Sequence, residues 1–451
     1  QIESRAQMSM LPRLKPACFY DLVVEIALVR PGPIQGDMVH PYLARRNGLE
    51  PVSYPSAAVE SVLSRTLGIP IFQEQVMQLA VVAAGFTAGE ADQLRRAMAA
   101  WRRTGKMGPF EQKLHAGMRA RGYTDEFAAR IYRQIQGFAE YGFPESHSAS
   151  FALLAYASCW LKRYEPAAFL CSLLNSAPLG FYAPAQLVQD ARRHGVEVRP
   201  VDVNRSDWEC SLEPSDTQPA VRLGLTQVSG LSAAVGQAIV AARASGPFTG
   251  AGNLARRARL KRHSFKQLAQ AGALASLEGD RHRSYWQALG VEEPWSLGVA
   301  PLAEAEPLLA PPTEGEDLVA DYASLGFTLG RHPLALLRPH LDKRGIAPAE
   351  RLYRLPDAAR VCVAGLVTHR QRPGSAKGVT FVTLEDETGQ VNSVVWRDIS
   401  ARCRRILLHA QLMGIRGELQ RQGDLVHVVA AELLDYSHLL GRLCHSSRDF
   451  R

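Results

Sequence analysis

The hydrophobic period of this chain changes once, from about 3.6 residues to two, and that change limits the folds open to it. After Arg360 apolar residues alternate through 360–371, 378–384, 390–396, 410–420 and 425–434, which predicts five strands. Thr388-Gly389 and Gln422-Gly423 supply hairpin turns, and a helix is expected over 397–409, between the third and fourth strands. Five strands with a helix after the third is the order of an OB-fold barrel. Such barrels bind single strands through cations and aromatics on one face, and the candidates here are Arg370, Arg372, Lys377, Phe381, Trp396 and Arg397. Phe381 and Trp396 are equally compatible with barrel core.

Before residue 175 the period is helical, over 59–66, 73–84, 88–103, 110–121 and 125–138. Thr87, with Glu90 three residues on, and Thr124 are expected N-caps. The stretch LRRAMAAWRRTGK, 94–106, puts Arg95, Arg96, Arg102, Arg103 and Lys106 on one short helical segment, preceded by a single acid, Asp92. A solvated surface helix normally interleaves acids and bases at i,i+4, so this segment is either a plain charged face or a site for a polyanion. The apolar run 149–161, ASFALLAYASCWL, is too short to span a bilayer and reads as a buried helix.

Residues 178–222 read as a loop-rich connector with a helix at 184–194 and one short strand in GVEVRPVDV. LGLTQVSGLSAAVGQAIVAAR, 223–243, has the form of a helix–hairpin–helix, in which a glycine-bearing turn offers N–H groups to a phosphate. Its turn is Gly230-Leu231-Ser232; a serine stands where a second glycine is expected, so a purely structural hairpin is the competing reading. From Arg243 to Arg283 nine Lys/Arg face two acids, whereas 294–330 has no Lys or Arg and carries Glu304, Glu306, Glu314, Glu316, Asp317 and Asp321. The net charge of +8 suits a polyanionic partner. Seven scattered cysteines without a CxxC pair read as reduced thiols of a cytoplasmic protein, and no Cys/His spacing suggests a metal. No signal peptide or membrane partner is expected. The first residues, QIESRAQM, lack an initiator methionine, which suggests a piece of something longer.

Five stretches are more specific: ALVRPGP (27–33), FQEQVMQLA (72–80), GEADQLRRAM (89–98), YGFPESHSASFALLAY (141–156) and LGFTLGRHPL (325–334). In this order they resemble the bacterial C-family polymerases, the DNA polymerase III alpha subunits. Residues 171–210, the Pro144-Glu145 that replaces the usual Asn-Lys, and a connector without a clamp-binding peptide resemble the error-prone, damage-inducible paralogue, C-terminal part only. The fold class expected is multidomain α+β: mostly helical fingers and helix–hairpin–helix regions followed by a C-terminal OB-fold β-barrel. The expected domains are 1–177 (fingers), 178–222 (connector), 223–293 (helix–hairpin–helix), 294–355 (acidic linker with LGFTLGRHPL), 356–440 (OB-fold) and 441–451 (tail).

The resemblance implies an error-prone DNA-directed DNA polymerase of translesion synthesis. Its partners would be primer-template DNA, single-stranded template and dNTP, with a sliding clamp reached through other translesion proteins. Arg95, Arg96 and Arg30 would grip the incoming triphosphate, and His147 would sense the nascent pair. Arg102, Arg103 and Lys106, the hairpin residues Gly230 and Ser232, and the OB-face residues would contact DNA. The reaction needs Mg²⁺ held by palm carboxylates. The family's Asp-x-Asp is absent from these residues, so no catalytic residue is assigned and the chain alone is expected to be inactive. Glu304-x-Glu306, Glu314-x-Glu316 and Glu385-Asp386-Glu387 read as solvated acids. The rival reading is a non-catalytic single-strand-binding or adaptor module of helix–hairpin–helix plus OB-fold.

Overall fold

A computed structural model describes residues 2–30, 38–104, 108–138, 143–180, 182–290, 308–373, 378–422, 425–445 and 447–450. The chain divides into two compact units, Gln1–Trp160 and Leu161–Arg451, the division falling inside the Glu145–Tyr164 helix.

The first unit is helical, as its apolar spacing predicts. Thr87 and Glu90 form a reciprocal cap on the Ala88–Thr104 helix, and Thr124 caps Asp125–Phe138 through the Phe127 N–H at 3.2 Å. The core gathers Ile26, Leu28, Tyr42, Ile71, Phe72, Leu79, Leu94, Met98, Met118, Ile131 and Phe143. Asp21 anchors the Phe19–Leu28 helix, accepting from Ala17 and Cys18 N–H groups and, bidentately at 2.7 Å, from Arg46. Burial opposes ionisation of Asp21, but Arg46 and the two N–H donors hold its carboxyl below the usual range.

One expectation is overturned here. The run 149–161 is not buried: Leu153 and Leu154 are about 60% exposed, and Tyr156 and Trp160 are also open to solvent, while Ala152 alone of that stretch is fully buried. An apolar run in one helix points all round its axis, and the neighbours cover only one side of it.

In the second unit the connector is loop-rich, with its helix at Pro184–Arg193 and its short strand at Val198–Arg199 where expected, and it adds two further short strands. β1 (Val198–Arg199), β2 (Ser211–Glu213) and β3 (Ala220–Arg222) form a sheet with β3 in the centre. This sheet and the Pro166–Asn175 and Pro184–Arg193 helices share one core with Ala233–Arg243, Ala251–Ala258 and Arg262–Gln270.

The barrel comprises β4 (Arg360–Gln371), β5 (Thr380–Glu385), β6 (Gln390–Val395), β7 (Leu412–Gln422) and β8 (Leu425–Asp435). Pairing runs β5-β6-β8-β7-β4 and closes through β4–β5; the β6–β8 pair is parallel and the others in the ring antiparallel. Closure pairs each of these five strands with two neighbours, and β9 (Arg448–Phe450) adds a short parallel pairing along β4. The Arg397–Arg402 and Arg404–His409 helices fill the link after the third barrel strand, the position that the strand order predicts.

Of the acids read as solvated, Glu316 is exposed and caps its helix through Thr313, the others described are ion-paired or buried, and Glu304 and Glu306 lie outside the described residues. Glu314 pairs with Arg331, and Asp317 and Asp321 both pair with Arg281. Asp386 is 1% exposed and accepts from the Thr388, Gly389 and Ala349 N–H groups, while Glu387 pairs with Arg338. His332 caps the Pro333–Asp342 helix by accepting the Leu334 N–H on Nδ1, which leaves the Nε2 proton facing Glu385 at 3.6 Å. Burial opposes ionisation of Glu385, yet His332 holds its carboxyl below the usual range. These acids tie the Glu314–Ser324 and Pro333–Asp342 helices to their surroundings.

Candidate nucleotide and nucleic-acid interface

The first site grows from the junction of three helices. The Phe19–Leu28 helix ends at Val29, and Arg30 folds back so that its Nε donates to the Ile26 carbonyl at 3.1 Å. Its guanidinium then lies over the ring of Phe143, 4.5 Å from the centroid. Phe143 is 1% exposed, and its carbonyl accepts from Gln73 N–H at the start of the Gln73–Val82 helix. His147 packs edge-on against the same ring at 4.9 Å and 81°, and Phe151 meets His147 at 4.6 Å. Arg30 and His147, both expected at the nucleotide, therefore rest on the same ring, and His147 remains exposed to solvent. Phe143, His147 and Phe151 recur at four-residue spacing within YGFPESHSASF; the sequence reading weighed the histidine alone and missed the two rings.

Beside this stack stands Glu145. Its Oε1 accepts from Tyr20 Oη at 2.8 Å and pairs with Arg65 at 3.1 Å, and Arg65 lies 4.0 Å over the Tyr20 ring. Glu74 accepts the Glu145 N–H at 3.0 Å, so two carboxylates meet the N-terminal end of the Glu145–Tyr164 helix. Burial first, and then the bond to Glu145, push the Tyr20 phenol well above its ordinary value. The sequence gives no hint of Tyr20 and Arg65, because both lie far from Glu145 along the chain.

Arg95 and Arg96 lie on the outer side of the Ala88–Thr104 helix, whose inner side buries Ala91, Leu94 and Met98. Both guanidiniums converge on Asp92, Arg95 at 2.9 Å and Arg96 at 2.8 Å. The hydrogen bond from Arg95, and the charge of Arg96, hold the Asp92 carboxyl below the usual range. Arg96 is 74% exposed, so the shared acid orients the pair without covering it. The side chains of Arg102 and Arg103, and all of Lys106, lie outside the described residues.

On the barrel the predicted face is divided. Arg370 is turned inward: 8% exposed, it donates to the Leu407 carbonyl at 2.6 Å and the Ala410 carbonyl at 2.5 Å, with Asp449 at 3.4 Å. Burial lowers its affinity for the proton, Asp449 opposing. It pins the Arg404–His409 helix and the last strand to β4, and this corrects its placement on a binding face. Arg372 and Arg397 do share a surface, each with side-chain atoms 3.6 Å from the position a Cβ on Gly378 would occupy. Trp396 is 53% exposed and precedes the Arg397–Arg402 helix, which rules out a core role; Phe381 is half-buried opposite Gln371. Lys377 lies outside the described residues.

In the hairpin, Gly230 has φ +77° and Ser232 accepts the Val235 N–H at 3.4 Å, capping Ala233–Arg243. Among the described residues no group of three or more His, Cys, Asp or Glu side chains is arranged to hold a metal ion. No described helix is long and apolar enough to cross a membrane.

Residues 1–122 match the bacterial DNA polymerase III alpha subunit finger domain, residues 195–284 a helix-hairpin-helix motif, and residues 361–435 an OB-fold nucleic acid binding domain. Domains of these kinds stand in this order along the chain: a polymerase III alpha finger domain, then two modules of nucleic-acid-binding type. The chain is homologous along its whole length to error-prone DNA polymerases. It is 62% identical over 454 residues to that of Alkalilimnicola ehrlichii, 59% over 471 to that of Methylococcus capsulatus and 57% over 464 to one of Pseudomonas fluorescens. These alignments cover 100% of this chain and 44%, 45% and 45% of the respective relatives, so the chain spans less than half of their length. The family, the error-prone branch and the order of domain types agree with the sequence reading.

Proposed function

We propose that this chain is the finger, helix–hairpin–helix and OB-fold portion of an error-prone DNA-directed DNA polymerase that acts in translesion synthesis and damage-induced mutagenesis. The observation that carries the reading is the finger-domain match at 1–122 within a whole-length similarity to error-prone polymerases. Arg95 and Arg96 take the triphosphate of the incoming dNTP, since a planar guanidinium binds phosphate oxygens bidentately. Asp92 holds the two side chains together until that anion replaces it. From their common seat on Phe143, Arg30 supports the grip on the triphosphate and His147 borders the nascent pair. Arg102, Arg103 and Lys106 follow the template backbone. Arg372, Lys377, Phe381, Trp396 and Arg397 hold single-stranded template on the barrel.

Phosphoryl transfer rests on positioning and on neutralising charge, and the arginines of this chain serve both. The divalent ion, Mg²⁺ by this reading, is held by carboxylates outside these 451 residues. Clamp contact runs through partner proteins, and the enzyme works in the cytoplasm. Primer extension tests the reading: residues 1–451 alone extend nothing with Mg²⁺, whereas the full-length polymerase extends. In the full-length enzyme Arg95→Ala with Arg96→Ala raises the dNTP KM at least tenfold. Extension by the 451-residue chain, or an unchanged KM, would remove the assignment concerned.

A further inference from the structure

Three consecutive residues of the first unit, Gln73, Glu74 and Gln75, each hold a different segment. Gln73 N–H donates to the Phe143 carbonyl at 3.2 Å, and Glu74 accepts the Glu145 N–H at 3.0 Å. Gln75 is buried; its Oε1 accepts from the Ile71 and Phe72 N–H groups, and its Nε2 donates to Thr66 Oγ1 at 2.9 Å. Thr66 is fully buried and closes the short turn Ser64–Thr66, so the neighbouring Arg65 leaves a fixed point of the backbone. The start of the Gln73–Val82 helix thereby ties the Arg65 turn to the first turn of the Glu145–Tyr164 helix.

From that turn the Arg65 guanidinium lies 4.0 Å over the Tyr20 ring and pairs with Glu145 Oε1 at 3.1 Å, the same oxygen to which Tyr20 Oη donates. A planar guanidinium held between a ring face and a carboxylate has one orientation rather than many. Yet 64% of the Arg65 side chain is exposed, and an ion pair so open to solvent adds little to stability. Its larger effect is on charge. Glu145 stands two residues before His147 in the first helical turn, and Glu74 brings a second carboxylate to the same helix end. Among the described residues Arg65 is the cation that pairs with Glu145; without it, two acids face only the partial positive charge of the helix.

We infer that Arg65 is a positioning residue for the incoming nucleotide: stacked on Tyr20 and paired with Glu145, it steadies the turn that carries His147 and cancels a carboxylate beside the anionic triphosphate. The inference rests on the reading of Arg30 and His147 as neighbours of the incoming dNTP. It differs from a packing role in one respect that can be measured. Packing depends on the shape of each side chain, whereas this role is met by either sign of charge at 65 so long as 145 carries the opposite one.

Steady-state primer extension by the full-length polymerase tests it. Arg65→Gln should raise the dNTP KM about fivefold, what one unit charge a few ångströms from another is worth in water, with little change in kcat. Arg65→Glu should raise it further, and Arg65→Glu with Glu145→Lys should bring it back to the wild-type range by restoring the pair with its charges exchanged. The rise in Arg65→Gln should shrink as salt is added, because exposed charges are screened, while its urea midpoint stays close to that of the wild type. A wild-type KM in both single variants overturns the inference alone, as does a charge exchange that recovers nothing. A full-length wild type that extends no primer overturns the polymerase reading and this inference with it.

Discussion

His147 packs edge-on against Phe143, 4.9 Å between ring centroids, and the guanidinium of Arg30 covers the same ring 4.5 Å from its centroid. One buried phenyl group thus sets two side chains that the sequence places far apart. Phe143→Ala should destabilise the first unit by about 3–5 kcal/mol, the range for deleting a buried ring. Phe143→Leu should lose less, about 1–1.5 kcal/mol, yet still raise the dNTP KM of the full-length enzyme, because Leu offers no quadrupole to Arg30. Urea unfolding and steady-state kinetics on the two variants separate packing from positioning. An unaltered KM in Phe143→Leu would mean that the ring does no more than fill space.

Much of this arrangement could be read beforehand. The helical period of the first unit, the caps at Thr87 and Thr124, and the strand order of the barrel follow from local rules, and the local structure obeys them. What escaped depends on contacts distant in sequence. Glu145 could be named from its motif, but Tyr20 and Arg65 come to it only through the packing of separate helices. Arg370 and Arg372 look alike in sequence; a two-residue period puts them on the same side of an ideal strand, and only the end of β4 after Gln371 separates a buried guanidinium from an exposed one. Glu385 and Asp386 read as solvated acids because no local pattern announces His332 or the Ala349 N–H.

Glu145 links Tyr20 to Arg65, so its replacement has two readable effects. Glu145→Gln keeps an acceptor for the Tyr20 hydroxyl while removing the charge, and the phenol should ionise at lower pH than in the wild type though still above its ordinary value, because burial is the larger cause. Ultraviolet titration of the chain reads this directly. Glu145→Lys sets a second cation against Arg65 and makes that wall more electropositive, which should lower misincorporation by the full-length enzyme. Steady-state misincorporation kinetics check it, and unchanged fidelity would sever Glu145 from accuracy.

Glu25 gives the first unit a pH dependence. It is 0% exposed in the middle of the Phe19–Leu28 helix, neither carboxyl oxygen has a hydrogen-bond partner among the described residues, and burial pushes its carboxyl up from 4.5 to about 8. A raised folded-state value means that the folded chain holds the proton that the unfolded chain releases. The contribution of Glu25 is therefore fully present below 4.5, declines as the pH rises from there to about 8, and is flat beyond. The urea midpoint should fall across that window with a slope of at most about 1.4 kcal/mol per pH unit from this group. Glu25→Gln should abolish its share of the decline, and a midpoint that falls equally in both proteins would assign the effect elsewhere.

On the barrel, Arg370 and the pair Arg372 and Arg397 should separate stability from binding. Arg370→Met leaves the buried Leu407 and Ala410 carbonyls without their donor, and each unsatisfied group costs about 1–3 kcal/mol. The variant should therefore lose roughly 2–6 kcal/mol in urea unfolding of the chain, at an unchanged salt slope for single-stranded DNA. Arg372→Gln with Arg397→Gln should do the reverse. Both side chains are exposed beside Gly378, so stability should hold within about 0.5 kcal/mol. The slope for single strands should become shallower by about 1 to 2, each contact contributing about 0.7. Trp396→Ala should weaken binding by about 1–3 kcal/mol without altering that slope, because stacking releases no counterions. If the double arginine variant keeps the wild-type slope, these cations are solvated and the strand lies on another face of the barrel.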